Sequence, residues 1–182
     1  MSELQSLMTS RVCGSPAVDG YAHIKPECLH ASKTAQWWEK VKPDPFTDLV
    51  AHIEHNADYD GVAVAWGINN KKRNVEECAR ACREHKPNPE DTGFGSLPCN
   101  AFVFCADTVC FEPDAHKHTE GDCWLKFTAG PASPEVNMRG NITGDQKERH
   151  PTAPETVQWH AGVLLPRNVK LTNGTWSPRY YW

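Results

Sequence analysis

The chain has no apolar run near the roughly 18 residues that a membrane-crossing helix needs, so no membrane span is expected. It has no basic block longer than Lys71-Lys72-Arg73 and a net charge of −4, which removes the electrostatic footprint of a nucleic-acid binder. Absent too are the Gly-x-Ser-x-Gly, His-Glu-x-x-His and phosphate-cradling glycine motifs, so no catalytic residue and no cofactor is expected. No internal repeat marks a solenoid or an array. Met1 to Ser10 lacks the long apolar centre of a secretory leader. At 182 residues the chain is long enough for one domain with a real core plus ordered extensions, and short for two.

Cysteine is what the chain does have. Eight of them, an even count in a short chain, point to an oxidising compartment. The sequons Asn141-Ile142-Thr143 and Asn173-Gly174-Thr175 point the same way and make Asn141 and Asn173 candidate glycosylation sites. Two cysteines lie on the stretch from Asn74 to His85, which reads as a helix with both ends written in. Asn74 is an N-cap, Glu77 takes the capping-box position, and Lys86-Pro87 stops it. Cys78 and Cys82 are one turn apart and share a face. Two short apolar runs follow, 99–105 and 122–127, and both have strand character. Alternation puts Cys99, Ala101 and Val103 on one face and Phe102 and Phe104 on the other. In the second run Cys123, Leu125 and Phe127 oppose Trp124 and Lys126. The cysteine faces are expected to meet the helix, with Phe102, Phe104 and Trp124 filling the opposite layer. Thiols so placed can pair or hold zinc. Zinc knuckles come in matched sets, and Cys78-x3-Cys82 has no counterpart except Cys105-x4-Cys110, so disulfides are the expected chemistry and no metal site is assigned.

The helix with Cys78 and Cys82, then Cys99 and Phe102 on one strand and Cys123, Leu125 and Lys126 on another, resembles the core of a PAN/apple domain. Longer phrases resemble the PAN/apple-like proteins of plants and green algae: Cys99-Asn100, Gly121-Asp122-Cys123-Trp124-Leu125-Lys126, Pro134-Glu135-Val136, Arg139-Gly140 and Trp159-His160-Ala161-Gly162-Val163. The resemblance covers about residues 58–165. It implies an α+β fold, an antiparallel sheet crossed by one helix, with Cys78 bonded to Cys123 and Cys82 to Cys99. With those assigned, Cys105–Cys110 and Cys13–Cys28 remain. It also implies secretion or display at the cell surface, with the numbering starting after a processed leader or the sequence being an engineered expression form.

The rest of the chain is read around that core. Residues 1–57 form an N-terminal extension: an irregular arm to about residue 31, a short helix with Trp37-Trp38, the breaker Pro43-Asp44-Pro45, and a second helix from Thr47 to His55 with Leu49, Val50 and Ile53 as its apolar face. Residues 58–166 are the PAN/apple-like domain, opening on a strand from Tyr59 to Gly67. Residues 130–154, rich in Pro, Gly, Asn and charge, read as a long surface excursion, and 157–165 as a returning strand. Residues 167–182 are a tail carrying Trp176, Tyr180, Tyr181 and Trp182. These four and the Trp37-Trp38 pair, which reads first as a plug over the core, are the candidate binding residues. His52 with His55 and His116 with His118 have metal-compatible spacings but no partner tied to them, and are read as solvated. PAN domains generally bind proteins or carbohydrates, so the resemblance implies a non-catalytic extracellular binding or assembly module with a protein or glycan partner. A structural subunit self-assembling through the extensions is the alternative, and a metal-dependent enzyme using His116, His118 or the thiols is a more distant one.

Overall fold

The cap at Asn74 forms: its Oδ1 accepts from Glu77 N at 2.9 Å, and the Glu77 carboxylate turns back to accept from Arg73 N at 2.9 Å. The helix it starts is one of several elements in a computed structural model that describes residues 2–41, 48–114 and 116–179. In chain order the helices are α1 (Glu3–Thr9), α2 (Pro16–Asp19), α3 (Pro26–Ala31), α4 (Lys33–Val41), α5 (Val75–Glu84) and α6 (Gly144–Arg149). The strands are β1 (Leu49–His55), β2 (Ala57–Tyr59), β3 (Val62–Ala65), β4 (Ala101–Cys105), β5 (Val109–Cys110), β6 (His118–Thr119), β7 (Cys123–Phe127), β8 (Glu135–Arg139), β9 (Trp159–Pro166) and β10 (Thr175–Trp176). The fold is α+β, and its main sheet is antiparallel, five strands in the order β1-β9-β4-β7-β3. A second sheet, β10-β8-β2, joins β10 to β8 in parallel, and β5 pairs with β6.

β4 runs through the middle of the main sheet and is buried along its whole length. Helix α5 buries Val75, Cys78, Ala79 and Cys82 on one stripe. Its disulfides join Cys78 to Cys123 at the start of β7 and Cys82 to Cys99 just before β4. Cys105–Cys110 closes a short loop, and Cys13–Cys28 ties the N-terminal segment to itself. All eight cysteines are paired, in the pairs the resemblance implies.

The strand faces differ from the expectation. Phe102 is registered with Leu125 and Phe104 with Cys123, whereas Val103 is registered with Trp124 and Ala101 with Lys126. Directly opposed residues share a face. The phenylalanines therefore lie on the Cys123 side, with α5, while Val103, Trp124 and Lys126 make up the other layer. Cys99 escapes the alternation because it precedes the strand. Asn100 continues the backbone pairing, donating to Lys126 O and accepting from Leu164 N, both at 3.0 Å, while its side chain donates from Nδ2 to Thr128 O and accepts at Oδ1 from Thr128 N, both at 2.9 Å. Gly162 on β9 faces Phe102 so closely that a Cβ would come within 2.3 Å of its ring, so this position in the sheet must be glycine.

Three segments read as helix, loop or arm fold otherwise. Residues 49–55 are the edge strand β1, registered residue by residue against β9 from Leu49↔Pro166 to His55↔His160, rather than a helix. Seven residues are too few for the pattern to separate the two periods, and the edge of the apolar eight-residue β9 decides between them. Its proposed cap, Thr47, and the breaker Pro43-Asp44-Pro45 lie outside the described residues. Main-sheet pairing thus begins at Leu49, ahead of residue 58. Asn56 at φ 57° ends β1, donating from Nδ2 to Val157 O at 2.8 Å, and β2 enters the second sheet.

The expected excursion at 130–154 instead holds β8 and α6. Glu135, Val136, Asn137 and Met138 are buried, and the polar ones are buried because they find partners, Arg11 for Glu135 and Asp58 and Glu112 for Asn137. The N-terminal arm is helical, and Met8, Ile24 and Leu29 join the core. Among the described residues no helix is long and apolar enough to cross a membrane.

Candidate functional site

Period-two alternation along β7 puts the Trp124 and Lys126 side chains on one face, and Val103 on β4 stands beside them. Over this face the chain leaves a cavity of about 440 Å³. Its aromatic walls are Trp66 after β3, Trp124, Trp159 on β9, Tyr21 and Phe94, and its polar lining is Glu112, Asp114, His116, His118, Lys126 and Arg179. Tyr21 comes from the N-terminal extension and Arg179 from the C-terminal one, so the cavity is completed by segments outside the five-stranded sheet.

The rings touch in a chain. Trp66 lies 5.5 Å from Trp124 and 5.1 Å from His116, and His118 lies 5.5 Å from Trp124 and 5.2 Å from Trp159. Trp159 is anchored by donating from Nε1 to Phe111 O at 2.9 Å. Gly67 seats Trp124, since a Cβ there would come within 2.2 Å of the indole. Trp66 remains 52% exposed at the rim, while the other rings supply its backing.

The polar groups beneath the rings are fixed. His118 is buried and donates from Nε2 to both Asp114 carboxylate oxygens, at 2.8 and 2.9 Å, and its Nδ1 lies 3.5 Å from Asp122 Oδ2. Asp122 is itself ion-paired with Lys71. His118 is thus a buried member of a charged chain rather than a solvated histidine, whereas His116 is exposed at the rim. Arg179 is buried and bidentate on Asp60, with Nε at 3.1 Å from Oδ2, and it also donates to Tyr21 Oη. Burial pushes the Tyr21 phenol up to about 12, against the opposing pull of Arg179. Burial first, and then the neighbouring Asp58 carboxylate, push the Glu112 carboxyl well above the usual range. Glu112 Oε1 accepts from Asn137 Nδ2, which also donates to Asp58 Oδ2. Lys126 is 8% exposed and donates from Nζ to Tyr59 O at 2.8 Å.

The other residues singled out from sequence fall elsewhere. Trp38 is fully buried in the core, and Trp37, half-buried, packs edge-on to it at 4.9 Å. Trp176 is exposed on β10, and Tyr180, Tyr181 and Trp182 lie outside the described residues. Asn141 and Asn173 are both exposed. His52 and His55 sit on β1, where His55 meets His160 edge-on with ring centroids 4.5 Å apart. Burial and then His55 hold the His160 imidazole below its usual value, and its Nδ1 accepts from Asn56 N. Among the described residues no group of three or more His, Cys, Asp and Glu is arranged to hold a metal ion.

Comparison of the chain with family models, curated proteins and solved structures returns no match. The site therefore rests on its own geometry. The sequence reading missed Trp66, Glu112, Asp114 and Arg179. The signals that pointed to this face were the Trp124-x-Lys126 alternation and the His116-x-His118 spacing, because the four missed residues come from loops with no period to read.

Proposed function

We propose that this chain is a non-catalytic binding module of PAN/apple type that works outside the cell and holds a carbohydrate ring in the Trp66–His116–Trp124 cavity. The observation that carries the reading is an open stack of aromatic faces above polar groups of which His118 and Arg179 are held in place by the protein's own carboxylates. A half-exposed indole forgoes several tens of Å² of apolar burial at about 25 cal/mol per Å², and a flat ring laid against it recovers that energy. A cavity of this volume is in the range of small-ligand sites, and its walls fit a ring better than the broad face of a protein. The helix α5 stapled by two disulfides to the sheet supports the PAN/apple reading. Four disulfides and two exposed sequon asparagines support the extracellular one.

The test is a glycan array and a peptide array, each probed with the oxidised protein and with Trp66→Ala. Trp66 is at the rim, so its truncation leaves the fold intact. Glycan signals that fall at least about tenfold with Trp66→Ala support the site. Signals only on peptides, or glycan signals that Trp66→Ala leaves unchanged, reject it.

A further inference from the structure

Of the permanently charged side chains that line the cavity, Arg179 is matched by Asp60. Lys126 has no ion-pair partner among the described residues, and its one protein acceptor is the Tyr59 carbonyl. An ammonium has three N–H donors, so two are left over. A buried charge without a counter-ion is costly unless something supplies one. Glu112, which lines the same cavity, forms no ion pair with Lys126: burial and the Asp58 carboxylate push its carboxyl well above the usual range, and Asn137 Nδ2 ties it to Asp58. The Lys126 ammonium beside the aromatic walls therefore keeps N–H groups that no described residue takes up. The remaining lining acid, Asp114, is committed to His118.

We infer that the ligand is a ring bearing one carboxylate, whose face lies on Trp66 and Trp124 and whose carboxylate is received by Lys126. This rests on the cavity being the binding site, and on the carbohydrate reading it names an acidic sugar. A charge-assisted N–H···O bond from a buried ammonium discriminates against the uncharged analogue.

The experiment follows intrinsic tryptophan fluorescence of the full, oxidised chain in two probe series. One compares methyl β-glucuronide with methyl β-glucoside, and the other compares benzoate with benzyl alcohol and benzylamine. The expected result is a preference of about tenfold or more for the acid over its neutral partner in at least one series, and its loss in Lys126→Met with neutral binding retained. The wild-type comparison decides the point even if Lys126→Met fails to fold. A preference confined to benzoate keeps the ring-carboxylate inference and rejects the carbohydrate reading. Equal binding of acids and neutrals, or tightest binding of benzylamine, overturns the inference while leaving the cavity as the site. No response to any probe overturns both.

Discussion

Burial and then the Asp58 carboxylate oppose the charged form of Glu112 and raise its carboxyl well above the ordinary glutamate range. In the unfolded chain the same group ionises at the ordinary glutamate value. Between the two values the native state binds a proton that the unfolded state has released, so this group's contribution is fully present at acid pH and is lost as pH rises through the native value. Glu112→Gln keeps an Oε1 to accept from Asn137 and an N–H to face Asp58 without the charge. The expected outcome is a wild-type melting temperature that declines from acidic toward neutral pH more steeply than that of Glu112→Gln, with the variant the more stable at neutral pH. Thermal melts across that range check it, and parallel profiles would place the proton elsewhere. None of this was legible in the sequence. Glu112 stands in a polar loop, and nothing local to it announces that Asp58 and Asn137, from two strands of the second sheet, close around it. Lys126 was legible as far as its face, because a strand's period is fixed at two, but not as a buried ammonium whose acceptor is the Tyr59 carbonyl.

At the scale of elements, the helix α5 was readable because its cap, its stop and its cysteine spacing are all local. β1 was not, because whether seven residues become helix or strand depended on the empty edge of β9, which lies more than a hundred residues away. β8 was hidden for a related reason: its buried polar residues look like loop composition until their partners are known. The stapling of α5 makes a ranked prediction. Closing 17 residues with Cys82–Cys99 is worth about 3 kcal/mol in the chain-entropy model, and closing five with Cys105–Cys110 about 2 kcal/mol. Cys82→Ser also places a hydroxyl among buried apolar groups and frees the helix from β4. Its melting temperature is expected to fall further than that of Cys110→Ser. Equal losses would mean that the Cys82–Cys99 staple is not what holds the helix to the sheet.

For the whole molecule, the two extensions are bound into the cavity rather than appended to it, since Tyr21 and Arg179 meet Asp60 from opposite ends of the chain. Secretion would leave a mark on the outer surface: Asn141 and Asn173, both exposed, are expected to carry glycans in native material, and glycosidase treatment should lower its mass. The tail makes the sharper case. β10 pairs with β8, Val169 is buried, and Arg139 donates to Asn173 O at 2.9 Å, so residues 167–179 are part of this domain's own packing. Removing residues 167–182 deletes those contacts and leaves Asp60 buried without its cation. Breaking a buried pair in this way costs about 3–5 kcal/mol by itself, a fall in melting temperature on the order of 10 °C for a chain of this size. Arg179→Met isolates that part, because it leaves β10 in place. Both variants are expected to melt lower with the native mass in light scattering unchanged, the truncation more so. A truncated chain that melts where the full one does but drops to a smaller assembly would instead make the tail a contact between subunits, with Trp176, exposed on β10, as the group it offers.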